Sequence, residues 1–540
     1  MIQIQHVGGP LWALRSSGFS QVLKEEADKV PGMRWDKALR CLVGYPDAVH
    51  VTAKNAHQRG LVIHGDWSGL VGPSGLLTAS KGLRDYQRVG VDFLLQKSSE
   101  GCILADSMGL GKSSQAATAA RALRQKTVIV CPNAVRGVWL SEGGELEKWW
   151  PAAKRGGLQG TKPSPIDPSL DVCVVHYEIL HAWAESLIAW GVKTLILDEG
   201  HRLVDLEARR SKAARELGEK CSHRMMLTGT PISNRVKQFF GPLEVISPGR
   251  LGKSFFKYGL RYCGGRQEQI QMREDGVGIF KTVWKWDGSS NLEELNERLM
   301  WSPARPWGFM LRRTKSDVEL ELPPRTRQVF STEIDPRFIA PIEFKEKAFQ
   351  KALGLAAEGK FDMVVALVAL HLEAGAKVVV GSHRRSIAEG IAGAVSGRCP
   401  EARVKVSHGG LPVEKRELIY KSQPDCLCLT FDSCKEGVNL LSYAGNVVIA
   451  ELSYLATTLL QFENRFGRFK GQKVLIQIPI ARGSADDVIR KAVIDKLDAM
   501  NGALGKGDDQ LDADLRELMD ARKESAMERL RRLYEQAVGA

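Results

Sequence analysis

Short apolar runs recur along the chain, and each ends in small or polar residues before a helical pattern begins. The first series is CILA, TVIVC, DVCVV, KTLIL and RMMLT, at residues 102–105, 127–131, 171–175, 193–197 and 224–228. The second series is KVVVGS, RVKVSH, CLCLT, NVVIAEL and KVLIQIPI, at residues 377–382, 403–408, 426–430, 446–452 and 473–480. Apolar strands of this length alternating with helices are typical of parallel sheets covered on both faces. We therefore predict an α/β fold with two parallel-sheet domains in tandem.

Turn-forming residues mark where these domains begin and end. VGPSG at 71–75 separates a small N-terminal unit, and ELPPRTR at 321–327 carries two prolines and predicts a hinge. The predicted segments are an accessory domain at 1–75, a first lobe with a helical insertion at 76–322, a second lobe at 323–500 and a helical tail at 501–540. The basic cluster of the tail is interpreted as a solvated helix face, with a DNA contact as the alternative.

Composition and charge narrow the class of protein. The chain of 540 residues is 44% hydrophobic and 26% charged, which is ordinary for a globular protein. No apolar run approaches the ~18–20 residues that cross a bilayer, and the N-terminus does not resemble a signal peptide. The ten cysteines lie mostly in apolar runs, which predicts buried reduced thiols. The net charge of +13 favours a polyanionic partner such as nucleic acid.

The segment ADSMGLGKSSQAATAARAL follows the first predicted strand and precedes a helical pattern. Glycines let backbone N–H groups approach phosphates, Lys112 can reach the terminal phosphates, and Ser113 can bind Mg²⁺ where the helix starts. Asp106 stands where the strict phosphate-loop pattern has glycine, and a plain turn is the alternative interpretation. The predicted nucleotide-binding residues are Asp106, Ser107, Met108, Gly109, Leu110, Gly111, Lys112 and Ser113.

KTLILDEGH, at residues 193–201, places two acids at the carboxyl end of a predicted strand. Asp198 can hold Mg²⁺ through water, and Glu199 can orient and deprotonate an attacking water. The alternative is an acidic turn on the surface. With a phosphate loop upstream, the pair predicts ATP and Mg²⁺ as cofactors.

QFENRFGRFKGQK, at residues 461–473, predicts an amphipathic helix. Gln461, Arg465 and Arg468 fall on one face at helical spacing. The neighbouring face carries three phenylalanines that can bury against a core, Phe462, Phe466 and Phe469. The two guanidinium groups on one face therefore need a target.

DSMGLGKS, LDEGH, LTGTPISN and QFENRFGRFKGQK occur in the order and approximate spacing of superfamily-two helicases, and together they resemble the Swi/Snf-type double-stranded DNA translocases. LRDYQRVGVDFL and FMLRRTKSDVELELPPRTR are similar to that family's opening motif and its passage between the lobes. YGLRYCGG, WKWDGSSNLEELNERL and MLRRTKSDV most resemble the HARP-type, fork-remodelling annealing helicases. The resemblance covers about residues 80–500 and implies two RecA-like lobes.

The resemblance also implies roles for single residues. Gln87 would read the adenine, and Gly437 and Gln461 would line the nucleotide site from the second lobe. Arg465 and Arg468 would act as arginine fingers when the lobes close, with a structural arginine–carboxylate pairing as the alternative. Closure would be coupled to DNA by residues that face the cleft, which include Thr228, Gly229 and His408.

The chain departs from the family pattern in three places. Gly200 stands where the family usually has alanine. DSCKEGVNLL at 432–441, which contains Gly437, is a stretched version of the fifth motif. SYLATTLLQ lacks the usual tryptophan and proline before Gln461.

VPGMRWDKALRCLVGYP, at residues 30–46, loosely resembles the small HARP module. Arg34, Trp35 and Lys37 lie close together there, so a ring that can stack on a base has cations beside it. We interpret this unit as a DNA-structure-binding module, with a packing subdomain as the alternative. A chain that starts near Ala79 is expected to keep the complete motor.

These observations predict an ATP-dependent translocase on double-stranded DNA that remodels forked or branched DNA as a monomeric motor without membrane attachment. A strand-separating DNA or RNA helicase is one alternative. A non-catalytic nucleic-acid clamp is another, although such a clamp is expected to lack Lys112, Glu199 or an arginine finger. We expect a bacterial or phage source and a cytoplasmic location, or the nucleus if the source is eukaryotic.

Overall fold

The computed structural model describes residues 2–8, 11–16, 20–65, 82–232, 235–252, 254–274, 277–314, 317–318, 325–339, 346–434, 443–453, 456–463, 465–466, 474–486 and 489. The chain divides into two compact units after Val318. The first unit holds the N-terminal module (residues 2–65), with one sheet, and lobe 1 (residues 82–318), with a seven-stranded sheet and a two-stranded hairpin. The second unit holds lobe 2 (residues 325–489).

The N-terminal module is a five-stranded mixed sheet with two helices. Its elements are β1 (Ile2–Gly8), β2 (Leu11–Ser16), α1 (Gln21–Lys29), β3 (Arg34–Asp36), β4 (Cys41–Gly44), α2 (Pro46–Gln58) and β5 (Ile63–Gly65). The strand order is β3-β4-β2-β1-β5, so β3 is an edge strand. Trp12, Leu14 and Leu42 of the sheet pack with Leu23 of α1 and Val49 of α2 in a small core.

Lobe 1 is built on a seven-stranded sheet in which all paired strands are parallel. The strands of this region are β6 (Cys102–Leu104), β7 (Thr127–Cys131), β8 (Arg155–Gly157), β9 (Val172–His176), β10 (Thr194–Asp198), β11 (His223–Leu227), β12 (Arg266–Glu274), β13 (Val277–Lys285) and β14 (Met310–Leu311). The order in the sheet is β14-β6-β11-β10-β7-β9-β8. Strands β12 and β13 form a separate antiparallel hairpin.

Helices cover both faces of the lobe 1 sheet. They are α3 (Asp85–Lys97), α4 (Lys112–Leu123), α5 (Arg136–Leu140), α6 (Glu145–Trp149), α7 (Leu180–Trp190), α8 (Arg209–Lys220), α9 (Phe240–Ile246), α10 (Phe255–Tyr262) and α11 (Leu292–Leu299). Short 3₁₀ turns lie at Asn133–Val135, Gly200–Arg202 and Val236–Phe239. Successive residues of β7 point to opposite faces, so Val128 packs in the core that contains α7 and α8, and Ile129 packs in the core that contains α3 and α4.

Lobe 2 repeats this architecture with six parallel strands. Its strands are β15 (Arg325–Thr332), β16 (Val378–Ser382), β17 (Val404–Ser407), β18 (Cys426–Thr430), β19 (Asn446–Ile449) and β20 (Val474–Ala481). Its helices are α12 (Glu346–Gly359), α13 (Phe361–Glu373), α14 (Arg385–Arg398), α15 (Val413–Lys421), α16 (Phe431–Cys434) and α17 (Ala456–Glu463), with a 3₁₀ turn at Pro336–Phe338. The strand order is β15-β20-β19-β16-β18-β17.

The structure confirms the predicted fold class, since all ten apolar runs form strands of two parallel sheets. One prediction is wrong in part. The segment 321–327 is not a hinge over its whole length, because β15 begins at Arg325 and pairs in register with β20 through Thr332. Ladder hydrogen bonds along this pair fix the backbone from Arg325 onward.

The described cysteines agree with a further prediction. Nine cysteines are free thiols, and eight of them are buried. Among the residues that the structure describes, no helix combines the length and the apolar character that a membrane span requires.

Candidate nucleotide-binding site

The loop between β6 and α4 turns sharply, and it needs glycine at two positions. Gly109 has φ of +91° and Gly111 has φ of +76°, both in the left-handed region that side chains disfavour. A Cβ on Gly111 would also lie only 2.4 Å from Nε2 of Gln87. The chain therefore reaches Lys112 at the start of a helix of 12 residues, whose first N–H groups suit an anion.

The side chain of Asp106 is buried and anchors this loop. Arg313 donates from Nε to Oδ1 of Asp106 at 2.9 Å, and Nη2 of Arg313 donates to Oε1 of Gln115 at 2.9 Å. Arg313 reaches this position because β14 pairs in parallel with β6, the strand that precedes the loop. Lys112 donates from Nζ to the backbone carbonyl of Asp106 at 2.9 Å. Aspartate thus replaces glycine here because an arginine two residues after β14 binds it.

Helix α3 presents its first turn to the same loop. Gln87 donates from Nε2 to the carbonyl of Leu110 at 3.2 Å, and Oε1 of Gln87 accepts from the backbone N–H of Arg84 at 3.0 Å. The hydroxyl of Tyr86 donates to the carbonyl of Leu110 at 3.3 Å. The structure therefore brings Gln87 to the phosphate loop, and its contact with adenine stays a prediction.

Asp198 lies at the carboxyl end of β10, as predicted, and it is buried. Burial, with the neighbouring Glu199 carboxylate as the second cause, raises the pKa of Asp198 to about 7. Trp139 donates from Nε1 to Oδ2 of Asp198 at 2.9 Å, and the hydroxyl of Tyr177 donates to its backbone carbonyl at 2.8 Å. These two donors hold the carboxylate at the end of the strand.

Glu199 adopts a backbone conformation that is uncommon for a residue with a side chain. Its φ is +51°, which costs of the order of 1 kcal/mol and is typical of functional positions. Oε2 of Glu199 lies 3.3 Å from Nδ1 of His201. The same ring nitrogen lies 2.9 Å from the hydroxyl of Thr228. A chain of three side chains therefore joins the acid to the segment LTGTP.

Gly200, the residue after Glu199, packs closely against the side chain of Met226. A Cβ on Gly200 would lie 2.6 Å from Cγ of Met226 on β11 and 3.1 Å from its Sδ. Met226 is buried in the core beneath this turn. The glycine that departs from the family pattern therefore leaves the space that the methionine fills.

Thr228 and Gly229 follow β11 and meet the phosphate loop. A Cβ on Gly229 would lie 3.6 Å from Nζ of Lys112 and 3.7 Å from the backbone nitrogen of Met108. Thr228 is fully buried, and its hydroxyl also accepts from the backbone N–H of Thr230 at 3.0 Å. The Thr228 side chain is therefore not exposed on lobe 1 for direct contact with DNA. Its position suits the transmission of a change at Glu199 through His201.

The structure of lobe 2 corrects the predicted helix at residues 461–473. Helix α17 ends at Glu463, so Arg465 lies in the following turn, where its backbone N–H bonds to the carbonyl of Phe462 three residues back. Phe462 and Phe466 are buried, as predicted. Arg465 is only 6% exposed. Its turn replaces the helix because i-to-i−3 bonds tighten the chain at this point.

The carboxylate of Glu463, two residues before Arg465, binds Arg327. Arg327 donates to its Oε2 from Nη2 at 2.7 Å and from Nε at 2.9 Å.

The side chain of His408 is also largely buried, and its Nδ1 accepts from the backbone N–H of Gly410 at 3.2 Å. The remaining lobe 2 predictions lie outside the described residues, namely Gly437, Arg468, Phe469 and the side chain of Gln461.

In the N-terminal module, the three predicted DNA-binding residues are all exposed. Arg34 and Trp35 lie on the edge strand β3, and Lys37 follows it. Trp35 is 60% exposed, which is unusual for a ring of its size. Exposure meets the first requirement of the predicted role, and the role itself stays a prediction.

Three residues of the site were missed by the sequence analysis. Arg313 and Trp139 act through contacts across long stretches of chain, and His201 lies inside a motif in which only the acids were given roles. The arginine pair directly after the short apolar run FML was the available signal for Arg313. Trp139 gave no signal, because a tryptophan in a short helix is usually a core residue.

The residues of the loop between β6 and α4, together with Asp198, carry the chemical groups that binding of ATP and Mg²⁺ requires. The loop offers backbone N–H groups, a glycine with no atom within 4 Å of its Cβ position, and an ammonium group on Lys112. Ser113 and Asp198 offer a hydroxyl and a carboxylate, which are the oxygen ligands that Mg²⁺ prefers. Each group lies on or beside an end of β6 or β10, two strands separated only by β11.

Comparison with known proteins finds one family and several relatives. Residues 86–340 match the family model described as "SNF2-related domain". The chain is 28% identical over 448 residues to the SWI/SNF-related matrix-associated actin-dependent regulator of chromatin subfamily A-like protein 1 homolog of Caenorhabditis elegans, which covers 77% of this chain and 61% of the relative. It is 28% identical over 444 residues to the DNA annealing helicase and endonuclease ZRANB3 of Mus musculus, which covers 75% of this chain and 39% of the relative.

A solved structure, the Sulfolobus solfataricus SWI2/SNF2 ATPase core in complex with dsDNA, is 18% identical with a TM-score of 0.39, and the match covers 84% of this chain and 100% of that chain. That score supports no conclusion about the present chain. The chain spans 61% and 39% of the lengths of the two curated relatives. Both are animal proteins, so the expectation of a bacterial or phage source receives no support from them.

Proposed function

We propose that this chain, which belongs with the SNF2-related proteins through its residues 86–340, is an ATP-dependent translocase on double-stranded DNA that remodels forked or branched DNA. The family implies the use of ATP, and Mg²⁺ is part of the proposal. The relatives named as an annealing helicase and as a chromatin regulator support DNA as the substrate. Action as a monomer is proposed, and the nucleus is the location if the source is eukaryotic.

One observation carries the proposal most directly. Glu199, His201 and Thr228 form a chain of contacts of 3.3 Å and 2.9 Å that links the catalytic acid to the segment LTGTP. Gly229 of that segment lies against Lys112. A change at the nucleotide therefore has a short physical route into the segment that, in this proposal, responds to DNA.

The roles of the chain's own residues follow from their positions. Lys112 and the N-terminus of α4 bind the phosphates. Ser113 and Asp198 would hold Mg²⁺, which would neutralise charge on the phosphates. Glu199 orients the attacking water and accepts its proton, and its Oε2 lies 3.3 Å from Nδ1 of His201. Arg465 and Arg468 supply positive charge to the terminal phosphate when the two lobes close.

Paired substitutions in the full-length protein test the engine. Lys112→Ala should lose nucleotide binding, whereas Glu199→Gln should bind ATP and hydrolyse it about 10²- to 10⁴-fold more slowly, because only the base is removed. Glu185→Gln on α7 removes an exposed carboxylate and serves as the matched control. Near wild-type hydrolysis by Glu199→Gln would refute the assignment of the base.

The substrate is tested by the ligand that stimulates hydrolysis. ATPase rates should be measured with plain duplex, forked duplex, single-stranded DNA and RNA at equal nucleotide concentration. Stimulation by duplex, with a further increase on forks, is the expected result. Strong stimulation by RNA alone would overturn the proposal and favour an RNA helicase.

A further inference from the structure

Exposed aromatic rings of the described residues occur in two places only. Trp35 lies on the edge strand β3 at 60% exposure, and the other rings are Phe256 at 45%, Phe280 at 71% and Trp284 at 38%. Phe256 belongs to α10, and Phe280 and Trp284 belong to β13 of the hairpin. Large rings are costly to expose, so a cluster of three marks a binding surface.

Two of these exposed rings, Trp284 and Phe256, contact each other, and Trp284 also contacts Trp286. Trp284 stacks on Trp286 with a centroid distance of 5.2 Å and an interplanar angle of 12°. Phe256 meets Trp284 edge-on at 5.1 Å. Phe280 lies four residues before Trp284, so both rings project from one face of β13, about 13 Å apart. That spacing leaves room for bases to stack on and between the rings.

The polar residues around these rings suit nucleic acid. Gln267 pairs with Trp284 and Gln269 pairs with Thr282, so the described part of the aromatic face carries amides and a hydroxyl and no acid. Lys257 follows Phe256 on α10 and is exposed, whereas the exposed Lys281 projects from the opposite face of β13. The acid Asp287 beside the hairpin is bound by Arg266 at 2.8 Å. Lysines are depleted from protein–protein interface cores, whereas rings interleaved with cations are typical of single-strand binding.

Residues next to Phe256 also line a depression beside the N-terminal module. A cavity of about 680 Å³ lies between the module and lobe 1. Its lining includes Met33, Arg34 and Tyr45 of the module and Pro248, Ser254 and Lys257 of lobe 1. Arg34 precedes Trp35, and Lys257 follows Phe256, so two cations of this depression are next in sequence to exposed rings, within a single compact unit.

We propose that the β12–β13 hairpin is a base-binding pin, in which Phe280, and Trp284 with Phe256 farther along the same surface, stack on unpaired bases of a DNA strand beside a duplex. This proposal rests on the proposed function, because it names the part of a forked substrate that the motor protein recognises. Lys257, which follows Phe256, holds phosphates of the same strand. The pin distinguishes an opened junction from a closed duplex, since paired bases are stacked on each other and have no free face.

Binding of labelled oligonucleotides by the full chain tests the pin. Phe280→Ala should weaken binding of a thymidine oligomer and of a fork with unpaired arms by about 5- to 100-fold, which is the range for loss of one stacked base. Phe280→Trp should retain the affinity, because a larger ring stacks equally well. Leu418→Ala is the matched control, since Leu418 is 66% exposed on α15 of lobe 2.

Two further measurements separate base stacking from phosphate binding alone. A 2-aminopurine placed in the unpaired arm should be quenched by wild type and by Phe280→Trp, and should be less quenched by Phe280→Ala. An abasic oligomer should bind wild type as weakly as the normal oligomer binds Phe280→Ala. Equal affinity of Phe280→Ala and wild type, equal affinity for abasic and normal strands, or equal losses in Phe280→Ala and Leu418→Ala would each overturn the pin. Absence of any DNA-stimulated ATPase in wild type would instead refute the proposed function.

Discussion

The carboxylate of Asp47, at the start of α2, accepts a hydrogen bond of 2.8 Å from Nε of Arg298 on α11, and both side chains are completely buried. Arg250 donates from its Nε to the other carboxylate oxygen at 2.9 Å. The guanidinium of Arg250 also lies 3.9 Å from the ring centroid of Phe309. The N-terminal module is therefore joined to lobe 1 by a buried ionic cluster.

Loss of Asp47 should be strongly destabilising. Asp47→Ala leaves two buried arginines without this acid, and breaking a buried pair in this way costs about 3–5 kcal/mol. Chemical denaturation of the full chain should show the first transition at a clearly lower denaturant concentration. Glu207→Ala breaks an exposed pair with Lys212 and should leave the transition unchanged. A transition that does not move in Asp47→Ala would show that the cluster contributes no net stability.

The same cluster revises the expected result of truncation. A chain that starts near Ala79 was expected to keep the complete motor, but it lacks Asp47 and uncovers the two arginines and the ring of Trp307, which packs against the core of the module. We now expect the truncated chain to melt at a lower temperature and to lose ATPase on every DNA. Trp35→Ala, by contrast, removes only an exposed ring and should keep the fold while reducing the preference for forks. A truncated chain with wild-type melting and ATPase would contradict this revision.

Parallel strands were predictable, and the contacts between distant segments were not. Thr127–Cys131 is a continuous apolar run because both faces of a central parallel strand are buried, so the sequence marks it clearly. The pair of Arg313 and Asp106 is separated by 207 residues, and no local pattern reports such a contact. The β12–β13 hairpin did leave a signal, the dipeptide Asp–Gly at 275–276, which is a strong hairpin signal.

Arg465 and Arg468 should affect hydrolysis more than binding. If each supplies charge in the transition state, alanine at either position should lower the ATPase rate by about 10³-fold or more, with ATP and DNA affinity nearly retained. Turnover at saturating ATP and duplex gives the ATPase rate, and titrations give the affinities for ATP and DNA. A melting curve checks that each variant is folded. Because Arg465 is largely buried, Arg465→Ala is the variant whose fold most needs to be checked by a melting curve. A variant that unfolds would support the structural role of the arginine instead.

Gly200 and Met226 should be energetically coupled. Gly200→Ala places a methyl group 2.6 Å from Cγ of Met226, and overpacking of this kind costs about 1–3 kcal/mol. Met226→Ala leaves a cavity with a cost of about 2–5 kcal/mol. In the double variant the new methyl group occupies part of that cavity, so its free energy of unfolding should fall by less than the sum of the two single losses. Strict additivity would mean that the two residues do not share this space.

Glu244 should make stability depend on pH in the neutral range. Burial raises the pKa of Glu244 from 4.5 to about 7. The folded chain therefore keeps a proton that the unfolded chain has released, so this stability is full below about pH 4.5 and is lost as the pH rises through about 7. Above that pH the cost of the buried charge is about 3 kcal/mol.

Glu244→Gln removes this cost, because an amide oxygen can still accept from the backbone N–H of Gly249. The variant should melt at a higher temperature than wild type at pH 8 and at the same temperature near pH 4.5. Glu216→Gln, at an exposed position on α8, should match wild type at both values. A melting difference that is the same at both pH values would refute the assigned titration.

The strand β14 has a consequence for the order in which a ribosome makes this protein. Asp106 leaves the ribosome long before Arg313, which follows it by 207 residues. At about 5–20 residues per second, the nascent chain carries this aspartate without its arginine for roughly 10–40 seconds. The loop between β6 and α4 therefore gains the support of Arg313 only when synthesis has passed β14.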